Sequence, residues 1–120
     1  MTVLIAIAGL MGAAGVALAA ASAHAGTEVK LDSAAYLLIL HAAAVVAGVA
    51  AVDRGLAWKP LGVVALAGFI VGSLLFAGDL SLRAFAGSRL FPMAAPTGGL
   101  VLIASWLGLA VAAVVTMVRA

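Results

Sequence analysis

Residues 61–82 read LGVVALAGFIVGSLLFAGDLSL, a long and almost uninterrupted apolar segment. Asp79 is its only charged residue. A membrane-spanning helix needs about 20 mostly apolar residues, because each residue advances the helix by about 1.5 Å and the hydrocarbon core is about 30 Å thick. The stretch is therefore long enough and apolar enough to cross a bilayer once as a helix.

Three further stretches of the same kind lie on either side of it. The predicted membrane-spanning helices lie at about residues 3–23, 34–52, 61–82 and 97–118. Thr97, directly after Pro96, is the predicted N-cap of the last helix. We predict an all-α membrane protein with one four-helix transmembrane domain over residues 1–120, in which the helices form an up-down-up-down bundle.

The first stretch has a second interpretation, as a cleaved secretory signal peptide. Residues 21–23 (Ala-Ser-Ala) and 23–25 (Ala-His-Ala) resemble cleavage sites shortly before the first polar break at Glu28. However, nothing basic precedes the apolar run, and the run is longer than the apolar region of a usual signal peptide. We therefore expect that the first helix is retained.

Composition narrows the classes of function. The chain is 68% hydrophobic and 8% charged, whereas an ordinary soluble domain is about 25% charged, so we expect the lipid bilayer as a partner. The six Lys and Arg residues are scattered singly, and no nucleic-acid partner is expected. The chain has no cysteine and no catalytic sequence motif, so we expect no enzyme, no cofactor and no metal site.

The basic residues are divided equally between the two sides of the membrane. One side holds both termini with Arg54, Lys59 and Arg119, and the other side holds Lys30, Arg83 and Arg89. The positive-inside rule therefore barely discriminates between the two orientations. The amino group at the N-terminus adds a slight lean toward both termini being cytoplasmic.

Small residues recur at helical spacing in every predicted span, and helices in lipid associate mainly through such residues. The candidate helix-packing residues are Gly12, Ala17, Gly48, Gly68, Gly72, Gly98 and Gly108. In the first span, the expected packing stripe consists of Gly9, Ala13, Ala17 and Ala21 and continues to His24. The large apolar residues expected to face lipid are Leu37, Ile39, Phe69 and Ile70.

His41 lies about two residues from the middle of the second span. An ionisable residue at this depth is costly and indicates a functional site by default. We expect a neutral imidazole there. The alternative is a structural histidine that donates a hydrogen bond to a backbone carbonyl or to a hydroxyl of a neighbouring helix.

Several other polar residues lie near those ends of the spans that an up-down-up-down bundle places on one side of the membrane. The candidate functional polar cluster consists of His24, Tyr36, His41, Asp79, Arg83 and Thr97. Asp79 and Arg83 are four residues apart, which is the spacing of an ion pair on a helix. This pair either caps the third span or lies beside an ion or proton path.

An ordered set of motifs along the chain resembles a known family. The motifs are residues 9–18 (GLMGAAGVAL), 23–25 (AHA), 75–78 (LFAG), 95–99 (APTGG) and 105–107 (SWL), with Tyr36 and His41-Ala42 between them. They resemble the YgdD/YwdK-like family of small uncharacterised four-helix bacterial membrane proteins, a domain of unknown function. The resemblance implies four helices, a retained first helix and the bacterial inner (plasma) membrane, and it implies no activity. Asp79 departs from the family, which has a small polar residue at that position.

Three functions follow from these observations. The short loops and the scarcity of deep polar groups favour an accessory or structural subunit, or an assembly partner, which associates with itself or with another membrane protein. The alternative is a homo-oligomeric small transporter or channel with a proton or ion path near His41 and Asp79. The third is a metal or haem site on His24 and His41, for which the sequence offers only these two ligands.

Overall fold

The computed structural model describes residues 1–24 and 30–120; Ala25 and Glu28, named above, lie outside the described residues. The four helices are α1 (Thr2–His24), α2 (Leu31–Asp53), α3 (Lys59–Ala86) and α4 (Ala94–Arg119). Each is long and apolar enough to cross a membrane, and the described ranges contain no strand. The predicted fold class of four transmembrane helices running up and down is confirmed, and each predicted span lies inside one helix.

Proline and glycine define the ends of the middle helices. Pro60 lies in the first turn of α3, where its missing N–H removes no helical hydrogen bond. α3 ends at Ala86, and its C-cap Gly87 has a left-handed φ of 71° that suits glycine. Gly55, with a φ of 75°, turns the chain after α2 in the same way.

The start of α4 differs from the prediction. Thr97 is not the N-cap, because the helix begins at Ala94 and Thr97 lies within its first turn. The backbone N–H of Thr97 donates to the carbonyl of Met93 at 2.9 Å. Pro96 does not interrupt this turn, since the first N–H groups of a helix have no helical partner to lose. The helix can therefore begin before the proline rather than after it.

The helices pack in chain order. α1 packs on α2, α2 on α3 and α3 on α4, whereas α1 approaches α3 over a short length only and does not approach α4. α2 and α3 therefore occupy the middle of the molecule, and α1 and α4 form its two edges. Accordingly, 44% of the spanning window is buried in each middle helix and 17% in each edge helix.

Glycines bring α3 and α4 into close contact. A Cβ added at Gly98 would lie 2.6 Å from the carbonyl oxygen of Gly72 and 2.8 Å from the backbone nitrogen of Phe76. A Cβ added at Gly68 would collide with the side chain of Ser105. Contact this close is possible only for small residues, and it is a common way for helices to associate in lipid.

Two glycines also define the register between the antiparallel helices α2 and α3. Gly48 of α2 faces the side chain of Leu66, and Gly62 of α3 faces the side chain of Val52. Both pairs belong to one register, so the level of any residue on α2 can be read against α3.

Gly12 and Gly108 make looser contacts, Gly12 between α1 and α2 and Gly108 between α4 and α3. A Cβ added at Gly12 would lie 3.8 Å from Cβ of Ala42, and one added at Gly108 would lie 3.8 Å from Cβ of Ala65. These are ordinary van der Waals distances, so the positions lie within helix–helix contacts without requiring glycine.

α1 presents a different face to α2 from the one that the sequence predicts. Its buried residues are Ala8, Met11 and Gly15. Ala17 is exposed, and Gly9 has no neighbour that its Cβ would meet within 4 Å. The predicted stripe therefore lies away from α2, because the missing Cβ of Gly15 lets Ile39 of α2 approach more closely than an alanine would.

Two of the residues expected to face lipid lie in the core. Phe69 is fully buried and Ile70 is 8% exposed, because α3 is packed by α2 on one side and by α4 on the other. Ile39 is 37% exposed and Leu37 is half-buried. Large apolar residues on a middle helix thus cannot all reach the lipid.

Candidate functional site

His41 is the centre of the first polar site. It lies one residue from the middle of α2 and is 2% exposed. Its Nδ1 lies 2.7 Å from the carbonyl oxygen of Leu37, one turn earlier on the same helix. Nε1–H of Trp106, on α4, donates to its Nε2 at 3.0 Å. This second bond connects α2 to an edge helix whose backbone does not approach it.

The two partners determine the protonation of His41. The indole N–H of Trp106 can only donate, so Nε2 must accept. The carbonyl of Leu37 can only accept, so Nδ1 must carry a proton. The imidazole is therefore the neutral Nδ1–H tautomer, and both of its nitrogens are occupied.

Phe69 completes an aromatic cluster with these two residues. Its ring centroid lies 5.4 Å from that of His41 and 4.6 Å from that of Trp106. The rings are tilted at about 50°, and tilted pairs at such distances are favourable beyond the area they bury. Phe69 comes from α3, so the aromatic cluster of His41, Phe69 and Trp106 joins three helices.

Ser73 is a further polar residue at this depth. It is fully buried, and its Oγ has no hydrogen-bond partner among the described residues. The register defined by Gly48 with Leu66 places Ser73 opposite His41 when it is continued by two turns. The middle of the membrane therefore contains one occupied imidazole and one unpaired hydroxyl.

Asp79 is the centre of the second polar site, at the end of the bundle that carries the α3–α4 loop. It is 2% exposed. Its Oδ1 accepts a hydrogen bond from the backbone N–H of Leu90 at 3.0 Å, and its Oδ2 lies 3.7 Å from Nε of Arg83. The side chain of Asp79 thus holds the loop that leads into α4 and pairs loosely with Arg83.

A pocket of about 390 Å³ lies beside Asp79. Its lining residues come from the end of α3, the loop and the start of α4, and are Phe76, Asp79, Leu80, Arg83, Arg89, Ala95, Pro96 and Gly99. Two arginines and one aspartate are among these residues, so the side chains around the pocket carry a net positive charge. We call it the arginine pocket.

The other predicted members of the polar cluster are neither hydrogen-bonded to His41 or Asp79 nor among the lining residues of the arginine pocket. His24, Tyr36 and Thr97 are exposed, and Tyr36 is 75% exposed. Asp79 and Arg83 are therefore the two members of the predicted cluster that lie together. Pairing of Gly12 with Ala42 puts His24 about 17 Å from His41 along the helix axis, at about 1.5 Å per residue. The two histidines do not converge on one metal, and the described residues contain no group of three potential metal ligands.

Sequence reasoning missed Trp106 and Phe69 as partners of His41. A signal was present for Trp106, which lies near the middle of α4, whereas membrane tryptophans are enriched at the two interfaces. Trp106 is 44% exposed, but no water is present in the hydrocarbon to accept from its indole N–H, so an acceptor on another helix is favoured. A tryptophan and a histidine at the same depth thus indicate a pair.

The fold and the contacts define a four-helix membrane protein in which a buried histidine near the middle of α2 is hydrogen-bonded to another helix. The family described as "Protein of unknown function (DUF423)" matches residues 6–99, most of the chain, and the protein belongs to this family. The match is consistent with the YgdD/YwdK-like resemblance of the motifs. The comparisons with curated proteins and with solved structures gave no match.

Proposed function

We propose that the protein is an accessory or structural subunit of the membrane that assembles with a second copy or with another membrane protein through α1. The observation that carries the proposal is the row of small residues on the outward side of α1. Gly9 has open space where its Cβ would be, and Ala13 and Ala17 are exposed.

The opposite edge of the molecule gives the contrast. The outward side of α4 carries large residues, including Leu100, Ile103 and Leu107, which are 59–68% exposed. Such residues suit contact with lipid chains. Small residues instead allow the backbone of another helix to approach closely, and they are enriched where membrane helices associate. The outward side of α1 is therefore suited to a partner helix.

The polar sites support an assembly role rather than chemistry. Both nitrogens of His41 are occupied by contacts within the bundle. Asp79 bonds the α3–α4 loop. Groups engaged in this way are not available as a general base or a proton carrier without breaking a helix contact, so the proposal includes no catalytic activity.

A small transporter or channel is the second candidate. The observation in its favour is the unpaired hydroxyl of Ser73 at the level of His41. Against it, Asp79 lies six residues beyond Ser73, about 9 Å along α3, and its carboxylate contacts the loop. Proton-driven flux in liposomes that is lost in His41→Ala and Asp79→Asn would favour transport over assembly.

Native mass spectrometry of the protein, extracted gently from its membranes, tests the assembly proposal. We expect a mass above that of the monomer, from a second copy or from a companion subunit. Ala13→Leu is expected to shift the distribution to monomer, because its side chain would hold a partner backbone away from α1.

Ala113→Leu is the matched control, since Ala113 is an exposed alanine on the opposite edge helix. It is expected to leave the assembly unchanged. A wild-type protein that is monomeric and free of companions would contradict the proposal, as would an equal loss of assembly in both variants.

We also propose that the protein resides in the bacterial inner (plasma) membrane with both termini on the cytoplasmic side. The family resemblance supports the compartment. The basic residues are shared equally between the two sides, so the orientation requires a direct measurement. Because the chain has no cysteine, a single cysteine at position 54 or 89 can be labelled from outside intact cells. Labelling at 89 alone is the expected result.

A further inference from the structure

We propose that the arginine pocket binds a phosphate group, presented either by the headgroup of an anionic lipid or by a free phosphate. Arg83 and Arg89 face the pocket from two segments, the end of α3 and the loop that follows it. Their guanidinium groups carry several N–H donors in a planar fork that matches the oxygens of a phosphate.

Charge in the pocket favours an anion. Asp79 is the one carboxylate in the lining, and its Oδ1 is engaged by the N–H of Leu90. Its Oδ2 lies 3.7 Å from Nε of Arg83, which is longer than a hydrogen bond. One positive charge is therefore left over between Arg83 and Arg89, and the positive end of the α4 helix dipole adds to it.

Arg83 also has an unsatisfied donor. Its Nε is buried and has no hydrogen-bond partner among the described residues, although its side chain is 31% exposed overall. This Nε lies 3.7 Å from Oδ2 of Asp79, so the carboxylate anchors the side chain beside the pocket, while the exposed part of Arg83 remains able to meet a ligand.

The position and size of the pocket match a phosphate-bearing ligand. It lies between the last turns of α3 and the first turns of α4, where the chain leaves the apolar span. Its volume of about 390 Å³ falls within the range of small-molecule sites, roughly 300–1,000 Å³, and is too small for a helix. Phe76 and Leu80 line its apolar side, which can contact the first carbons of a lipid chain.

The test measures lipid retention and thermal stability of the purified full-length protein in detergent. The probes are phosphatidylglycerol, phosphatidylcholine and inorganic phosphate at matched concentrations. We expect phosphatidylglycerol to bind and stabilise the wild type, and Arg83→Gln or Arg89→Gln to weaken its binding about ten-fold, the factor for one lost charge-assisted hydrogen bond. Arg54→Gln, an exposed arginine at the other end of the bundle, is the matched control and is expected to bind like the wild type.

The probes distinguish the two sources of phosphate. Stabilisation by phosphatidylglycerol alone identifies a lipid headgroup, and equal stabilisation by inorganic phosphate identifies a free anion; either outcome supports the site if it depends on Arg89. If Arg83→Gln does not fold, Arg89→Gln in the exposed loop carries the test alone. No stabilisation by either probe, or an equal loss in Arg54→Gln, would overturn the proposal. Failure of this proposal is distinguishable from failure of assembly through α1, because Arg83 and Arg89 line a pocket between α3 and α4 and contribute nothing to the outward side of α1.

Discussion

The two edge helices are equally exposed but are attached in different ways. Each has 17% of its spanning window buried. α4 is bound to α3 through Gly98, to α2 through the Trp106–His41 hydrogen bond, and to the α2–α3 loop through a bond from the N–H of Trp58 to the carbonyl of Ala112 at 2.9 Å. Three separate elements therefore hold α4 in place.

α1 is attached to α2 alone over most of its length. Its contact consists of apolar residues around Gly12 and Gly15, and no side-chain hydrogen bond in the described part of the chain joins it to another helix. Beside α1 lies an open apolar cavity of about 480 Å³, lined by small residues such as Ala17 and Gly78 and by the large residues Leu18, Leu38, Leu74 and Phe85 of α1, α2 and α3. The two edge helices are therefore equally exposed but differ in attachment: α4 is held by several elements of the bundle, whereas α1 is held mainly by α2.

The largest effect is expected for Gly98→Ala, which would break the attachment of α4. The new Cβ would lie 2.6 Å from the carbonyl oxygen of Gly72, and backbone atoms cannot move aside as a flexible side chain can. We expect the free energy of unfolding in mixed micelles to fall by about 3 kcal/mol, at the upper end for overpacking. Gly99→Ala is the control, since a Cβ at Gly99 meets nothing within 4 Å. Equal stability of the two variants would contradict the close contact.

His41→Ala is expected to have the next largest effect, a loss of about 2 kcal/mol in the same assay. The substitution removes two hydrogen bonds and leaves the indole N–H of Trp106 without an acceptor. In a double-mutant cycle, His41→Ala and Trp106→Phe should show a coupling of about 1 kcal/mol. Trp58→Phe, which removes the other tryptophan, should add independently to His41→Ala. Strict additivity of the first pair would refute the bond between α2 and α4.

Asp79→Ala tests the loop through which the chain enters α4. The variant leaves the N–H of Leu90 without its acceptor, and we expect a loss of about 1 kcal/mol. Asp79→Asn keeps a carbonyl oxygen in the same place and should retain most of the stability. If Asp79→Asn is as unstable as Asp79→Ala, the ion pair with Arg83 contributes more to the free energy of unfolding than the hydrogen bond from Leu90 does.

Gly15→Ala is expected to have the smallest effect on global stability, below about 1 kcal/mol. Its Cβ would lie 2.5 Å from Cγ1 of Ile39, a side chain able to move, and 3.2 Å from the backbone nitrogen of Ile39, so α1 must shift slightly away from α2. Alanine gains helix propensity of about 1 kcal/mol in return. The change should appear instead as faster hydrogen–deuterium exchange confined to α1. Gly9→Ala, on the outward side of the same helix, should exchange like the wild type. Faster exchange in α4 as well would mean that α1 is not separately attached.

The spans and the fold class could be predicted because hydropathy and length are properties of single segments. His41 was evident for the same reason, since its depth follows from its position within one span. The rotation of a helix about its axis and the identity of its neighbours are properties of the whole bundle. The prediction that Phe69 and Ile70 face lipid was wrong for this reason. α1 has two rows of small residues at helical spacing, one through Gly15 and one through Ala17. The sequence does not distinguish which row contacts α2, and the structure shows that it is the row through Gly15. The Asp79–Arg83 pair could be predicted because a single helix brings both residues together. The hydrogen bond from Leu90 to Asp79 could not, because it depends on how the loop folds back on α3.

The bond between Trp106 and His41 joins residues 65 positions apart, unlike the packing between sequential helices. During synthesis the chain enters the membrane from its N-terminus, so α1, α2 and α3 can pack while Nε2 of His41 still lacks its donor. An unpaired polar group in the hydrocarbon costs several kcal/mol. We infer that an unfinished chain carries one more unpaired buried polar atom than the finished fold, because Nε2 of His41 stays unbonded until α4 has inserted. A chain truncated before α4 should therefore be degraded faster than the same truncation carrying His41→Ala, because the variant lacks this atom. In the full chain, Trp106 of α4 supplies the missing donor.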